Sequence, residues 1–177
     1  MQTADNSGSP FVKLQDGDTV QLRILSQPLM GWEQFADGKP YRWKPDGSKP
    51  EGMPDSSERP RPFLAFVVYQ YTDDQGVKIW SFTQQTIIKQ LEVLFEGGKH
   101  HWSSFVINLR RKGAGLDTTW TVIGTMVPLE DSLIEFATKA EDYIDLSALY
   151  MGDSPIIQPL PSISVERKES QPNDLPF

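Results

Sequence analysis

The chain has 177 residues, enough for one domain with appended segments, and folding at this length buries about 70% of the unfolded surface. It contains no cysteine, which excludes disulfide frameworks and thiolate metal sites, so we expect a reducing, cytoplasmic compartment. No early apolar run has the form of a signal peptide or the roughly 20 residues of a membrane span. The formal net charge of −7 argues against a nucleic-acid binder, because Lys and Arg supply most nonspecific affinity for phosphate.

The negative charge is concentrated toward the C-terminal end of the chain. Residues 1–126 carry 14 Lys and Arg against 14 Asp and Glu, whereas residues 127–177 carry 3 against 10. The neutral part contains two basic clusters, one between residues 39 and 61 and one at residues 110–112. Local basic surfaces are therefore possible despite the acidic total.

The first predicted strand follows a polar start. Residues 1–9 are small and polar and predict a flexible N-terminus. Asp16-Gly17-Asp18 is a turn signal, and from Thr19 to Leu25 apolar and polar residues alternate with the period of a half-buried strand. Residues 37–62 hold nine Pro and Gly residues, so we expect a long loop inserted here.

A hairpin and a helix are predicted next. The runs Phe63–Tyr71 and Val77–Thr83 are rich in strand-forming residues and flank the turn Thr72–Gly76. From Gln84 the apolar residues recur at helical spacing, and Gly97-Gly98 ends that segment.

Two more strands, Ser103–Arg110 and Thr118–Ile123, follow the helix. Pro128 begins a further helix, and residues 143–150 form a short helical segment. Three strands, a helix and two strands are the order of an OB-fold. We therefore predict a mainly β protein with an OB-fold-like five-stranded barrel and C-terminal helical additions.

Domain bounds follow from these elements. We predict an OB-fold domain over residues 10–152, with residues 37–62 as its loop insertion. Residues 153–177 contain several prolines and many polar side chains, which predicts a disordered acidic tail.

One strand offers candidate side chains for stacking on bases. An OB-fold binds single strands through aromatic platforms and a charged groove. Val77 and Ile79 share one face of their strand and suit a barrel interior, whereas Lys78, Trp80 and Phe82 share the other. Because burying an unpaired lysine is costly, we predict that Lys78, Trp80 and Phe82 face nucleic acid. The alternative is that both rings belong to the core.

Aromatic and basic side chains also interleave near the long loop. Trp32, Phe35 and the run Tyr41-Arg42-Trp43 are predicted to form a stacking surface, and the alternative is that they anchor the loop to the barrel. Tyr71, at a strand end, is a further candidate platform. The candidate phosphate contacts are Arg23, Arg59, Arg61, Arg110, Arg111 and Lys112.

The last four residues place a carboxylate beside an apolar group: Asp174, Leu175, Pro176 and Phe177. We expect another protein to capture this peptide. It resembles the acidic, Pro-Phe-terminated tips of bacterial and phage single-stranded-DNA-binding proteins, and that resemblance implies recruitment of replication or recombination partners.

The resemblance extends to the core. Phe11–Leu25, Arg61-Pro62-Phe63 and the segment from Lys112 to Thr118 resemble phage single-stranded-DNA-binding proteins related to the T-even phage helix-destabilising protein. It implies sequence-independent binding of single-stranded DNA in replication, recombination or repair, in a bacterial host's cytoplasm, without enzymatic activity or cofactor. The T-even protein's zinc site is not expected here, because the chain has no cysteine and only two adjacent histidines.

Two other functions remain open from the sequence. A metal-dependent nuclease could use Asp73, Asp74 or Asp117 with a divalent ion, although Asp is also common in turns. An OB-type adaptor that binds only proteins is the other alternative.

Overall fold

The computed structural model describes residues 9–165, and these form one antiparallel sheet of seven strands. The strands are β1 (Thr19–Ile24), β2 (Leu29–Ala36), β3 (Lys39–Trp43), β4 (Arg61–Gln70), β5 (Gly76–Phe82), β6 (Phe105–Lys112) and β7 (Thr119–Met126). Their order is β3-β2-β4-β1-β6-β7, with β5 paired to β4. The prediction of a mainly β protein is confirmed.

Strand β4 organises the sheet because it pairs with three others. Its first half pairs with β2, where Leu29 faces Ala65, and its second half pairs with β1, where Arg23 faces Tyr69. Strand β5 pairs with β4 along most of the length of β4. Strands β1 and β2 therefore follow one another along β4, as one long interrupted strand would.

Two of the seven strands, β2 and β3, were not predicted. Strand β3 lies inside residues 37–62, for which the many prolines and glycines predict a loop. Pro40 is tolerated because β3 is the last strand at its end of the sheet, and a proline at a sheet edge leaves no ladder hydrogen bond missing inside the sheet. The prediction of five strands and an irregular 37–62 segment was wrong for this reason.

The helices lie where the periodicity placed them. Helix α1 (Gln85–Leu94) stands between the β4–β5 hairpin and β6, and α2 (Asp131–Thr138) follows β7. A 3-10 helix covers Leu146–Met151. In the part of the chain that the structure describes, no helix has the length and apolar character to cross a membrane.

Apolar side chains cover both faces of the β4–β5 hairpin. On the inner face, Phe66 and Trp80 pack with Leu91 of α1 in one cluster. On the outer face, Val67 and Ile79 pack with α2 and with the chain that follows it. A strand buried on both sides gives no clean alternation, which explains why its faces are hard to assign from sequence.

Residues 153–165, the first part of the predicted disordered tail, include groups that are packed or hydrogen-bonded. Pro155 is buried and its carbonyl accepts a hydrogen bond from the Asp145 amide at 2.8 Å. Farther along, the Tyr69 hydroxyl donates to the carbonyl of Ile163 at 3.4 Å. The packed structure therefore extends to Val165, and the rest of the predicted tail lies outside the described residues.

Helix α1 protects the edge of β7. The Gln90 side chain donates to the carbonyl of Trp120 and accepts from the amide of Val122, both at 2.9 Å. These are the bonds that a neighbouring strand would make. Leu94 packs where a side chain at Gly124 would stand, so glycine is needed for the helix to approach. The side-chain amide of Gln90 thus takes the place of a strand that would pair with β7.

Replacing Gln90 by Ala should lower the free energy of unfolding by about 2 kcal/mol, because its two hydrogen bonds to β7, of about 1 kcal/mol each, are lost at a half-buried edge. The third hydrogen bond of this side chain, to the carbonyl of Thr86, is exposed and lies within α1. Urea unfolding measures this change. Lys89→Ala, an exposed neighbour on α1, is the control and should change stability by less than about 0.5 kcal/mol. Amide exchange at Val122 should accelerate in the Gln90 variant alone, and unchanged exchange there would contradict the assignment.

Candidate nucleic-acid interface

The predicted Trp80 and Phe82 platform is wrong, because both rings lie in the inner core. Trp80 is 3% exposed and Phe82 is 6% exposed. Their ring centroids lie 4.5 Å apart, and each is about 6 Å from Phe66. Neither can stack on a base in this arrangement. The assignment of faces was inverted: Val77 and Ile79 face the second apolar cluster under α2, and Trp80 and Phe82 face the inner core.

Lys78 is also buried rather than presented to solvent. Its ammonium group donates to a carboxylate oxygen of Asp74 at 2.6 Å and to the carbonyl of Ser9 at 3.0 Å. Both partners satisfy a charge that would otherwise be expensive to bury. Asp74, one of the candidate nuclease carboxylates, is therefore occupied by this ion pair.

Tyr71 and Arg23 belong to a polar network and not to a binding surface. Arg23 is fully buried, and its guanidinium donates to the hydroxyl of Tyr71 at 3.1 Å. The Tyr71 hydroxyl in turn donates to the Glu130 carboxylate at 2.8 Å. Burial, with the Glu130 carboxylate adding to it, raises the pKa of Tyr71 to about 12. Both residues are corrected to a structural role, which ties α2 to the sheet.

The remaining aromatic candidates lie on the β2–β3 hairpin and differ in how far they are exposed. Trp43 is buried, with the Lys49 ammonium 6.0 Å from its ring centre, and Tyr41 is half-buried. Arg42 is held by the Glu33 carboxylate at 2.7 Å and lies over the ring of Phe63. Trp43 and Arg42 therefore anchor the hairpin, which was the alternative to stacking.

Like Phe35 on the same strand, the predicted aromatic residue Trp32 remains accessible. It is 37% exposed, and neighbouring Met30 is 54% exposed. Between them Gly31 brings the backbone against the ring of Phe63 and the carbonyl of Trp43, where a Cβ atom would not fit. The Tyr150 hydroxyl also donates to the carbonyl of Met30. The backbone at this point is firmly held, and the side chains of Met30 and Trp32 project from it.

These two side chains form one wall of an open, mostly apolar cleft of about 580 Å³. We call it the Trp32 cleft. Helix α1 and the loop that follows it form the opposite wall, and the start of β4 lies between. Its principal side chains are those of Met30, Trp32, Pro62, Leu64, Phe66, Ile88, Phe95 and Trp102. A cavity of this size accommodates ligands of drug size, so bases can enter it.

The loop wall of the cleft has an unusual backbone. Glu96, Gly97 and Gly98 all have positive φ angles, of 47°, 65° and 99°. This turn places Trp102 against Phe95, with ring centroids 4.7 Å apart at 85°. Trp102 is consequently half-buried and lines the cleft; from sequence alone its role was undecided.

The predicted basic residues divide into exposed and structural ones. Arg111 is half-buried, donates to the carbonyl of Leu14 at 2.7 Å and lies over the Trp120 ring, so its assignment as a phosphate contact is corrected. The other four are exposed and form no ion pair within residues 9–165: Arg59, Arg61, Arg110 and Lys112.

Charges of both signs surround the cleft. Exposed Lys44, Arg61 and Lys99 each adjoin a lining residue in sequence, while Glu92 lines the cleft itself. Glu96 is 3.7 Å from His100. The rim alone is therefore not a strongly positive channel, and aromatic contact must supply most of any affinity for bases.

A comparison of the chain with known protein families, curated proteins and solved structures finds no match in any of them. Over residues 9–165 there is also no group of three or more His, Asp or Glu side chains arranged to hold a metal ion. The four terminal residues Asp174–Phe177 lie outside the part of the chain that the structure describes.

Proposed function

We propose that the protein binds single-stranded DNA without base-specific hydrogen bonding, and that the Trp32 cleft receives the bases. The observation that carries this proposal is the pair of accessible indoles, Trp32 and Trp102, in an open apolar cleft. Base–aromatic stacking contributes about 1–3 kcal/mol per base and tolerates every sequence. The binding surface is thus placed between the β2–β3 hairpin and α1, away from the Trp80 strand.

The strand connections support an OB-fold-like barrel as the scaffold. If β1 and β2 are counted as one interrupted strand, four pairings follow the five-stranded pattern: that strand with β4, β4 with β5, β6 with β7, and β1 with β6. Helix α1 occupies the place between β5 and β7, where Gln90 binds the β7 edge. We propose a barrel completed by a helix instead of a fifth strand pair.

Phosphate contacts supply a smaller share of the affinity. The proposed contacts are the exposed cations Arg59, Arg61, Arg110 and Lys112. Should two to four phosphates be neutralised, the logarithm of the affinity falls by roughly 1.4 to 2.8 per log unit of salt. We do not expect a much steeper dependence, because residues 9–165 carry more acidic than basic side chains and because Arg42 and Lys78 are paired.

Titration with oligo-dT tests the proposal. We expect quenching of tryptophan fluorescence at micromolar protein, because bases enter a cleft that two indoles line. The logarithm of the affinity should fall by roughly 1.4 to 2.8 per log unit of salt, as given above. An unchanged signal, together with no mobility shift of labelled oligonucleotide, would contradict DNA binding. If the protein does not bind DNA but binds an apolar peptide, the OB-type adaptor that binds only proteins is favoured. The weakly polar lining of the Trp32 cleft also suits such a peptide.

For the acidic segment we propose a second role, which is to recruit replication or recombination proteins. Leu175-Pro176-Phe177 would enter an apolar pocket on a partner, with Asp174 near its basic rim. Removing residues 166–177 should abolish partner capture and preserve or raise DNA affinity, since the removed segment carries more acidic than basic groups. Replacing Phe177 alone by Ser is the finer test. A large loss of DNA affinity on deletion would refute the assignment.

A further inference from the structure

We infer that the Trp32 cleft distinguishes bases by the 5-methyl group, so that thymine binds more tightly than uracil. The inference rests on the proposed function, since it concerns what the same cleft prefers. It concerns contact between the 5-methyl group and the aliphatic side chains of the cleft, in addition to stacking on the indoles.

The lining of the cleft is the first observation. Between the two indoles lie aliphatic side chains from three elements: Met30 on β2, Leu64 on β4 and Ile88 on α1. Gln85 and Glu92, both on α1, are the polar side chains of the lining within the described part of the chain. The indole N–H of Trp32 is already used, because it donates to the carbonyl of Pro45 at 3.3 Å.

This chemistry treats the bases unequally. Amino and carbonyl groups that enter without partners lose their hydrogen bonds to water, which is unfavourable. A methyl group gains from burial against aliphatic carbon, and one buried methyl corresponds to about a fourfold gain in affinity. Thymine and uracil present the same hydrogen-bonding groups and differ only by that methyl. The lining therefore favours thymine over uracil, and 5-methylcytosine over cytosine.

A different result is expected if the cleft only stacks bases. In that case preferences arise from stacking strength and backbone flexibility, and any preference for the methylated base should persist when the aliphatic lining is made polar. The two accounts are therefore separated by titrating matched oligonucleotides against both the parent protein and variants of the lining.

The experiment is a fluorescence titration of the full-length protein with four deoxyoligonucleotides of equal length: dT, dU, dC and 5-methyl-dC. We expect dT to bind about fourfold or more tightly than dU, and 5-methyl-dC to exceed dC by a similar factor. Equal affinities within both pairs would overturn the inference while leaving DNA binding intact. Absence of binding to every oligonucleotide would instead remove the proposed function.

Two variants locate the effect. Met30→Gln keeps the length of an exposed side chain and makes it polar, and Ile88→Thr introduces a hydroxyl on the opposite wall, at a half-buried side chain that it shortens. Each should reduce the dT/dU ratio toward one. Met151→Gln is the matched control, because Met151 is 77% exposed and does not line the cleft. Met30→Leu should keep the ratio. A ratio unchanged in both cleft variants, with thermal unfolding showing that both are folded, would overturn the assignment.

Discussion

Trp32→Ala should weaken binding of oligo-dT by about 5-fold to 150-fold, which corresponds to the loss of one stacked base worth about 1–3 kcal/mol. The side chain projects from a held backbone and is 37% exposed, so its removal should cost little stability. Fluorescence anisotropy of a labelled oligonucleotide measures the affinity, because the variant loses one of the fluorescent indoles.

The chain provides a matched control on the same strand. Phe35 is 43% exposed and points to the other side of β2, since it is three residues from Trp32 and successive side chains alternate. Phe35→Ala removes a comparable aromatic surface outside the cleft and should leave DNA affinity within about twofold. Equal losses in the two variants would show that general surface aromaticity, and not the Trp32 cleft, binds the strand.

The second large effect concerns stability. Arg23→Met should lower the free energy of unfolding by about 3–5 kcal/mol, the usual cost of removing one partner from a buried ionic network. Besides Tyr71, the guanidinium donates to the carbonyls of Ser103 at 2.9 Å, Val127 at 2.7 Å and Pro128 at 3.2 Å. All of these acceptors would lose a partner at once.

Urea unfolding again provides the measurement, and Arg110→Met is its control because Arg110 is exposed. That control should change stability by less than about 0.5 kcal/mol. Arg23→Lys should fall between the two, since it keeps the charge but not the planar fork. Where Arg23→Met remains folded, its oligo-dT affinity should equal that of the parent. A loss of stability under about 1 kcal/mol would contradict the central role of this network.

The sequence predicted five of the seven strands and the helix α1, but it predicted the environment of these elements poorly. Alternation located β1, and helical spacing located α1 within one or two residues. Whether Trp80 points inward depends on the segment that covers the opposite face of its strand. That segment, from α2 to Val165, is separated from Trp80 by about 50 to 85 positions, so local patterns carry no information about it.

The candidate site was predictable only in part, for a related reason. Trp32 could be chosen because aromatic and basic residues interleave nearby. Trp102 could not, because its position depends on three consecutive positive φ angles and on packing against Phe95. The ion pair of Lys78 with Asp74 was also obscured, although the two lie four residues apart. A turn aspartate and a strand lysine gave no signal of pairing until the hairpin geometry brought them together.

The covering of the outer face separates two surfaces of the molecule. Ile163 and Val165 pack on the side of the β4–β5 hairpin that faces α2, whereas Phe66 and Leu91 at the floor of the cleft belong to the other side. The polypeptide therefore leaves its last described contact on the far side of the sheet from the cleft. A nucleic-acid strand bound in the Trp32 cleft would therefore lie on the opposite side of the sheet from Val165.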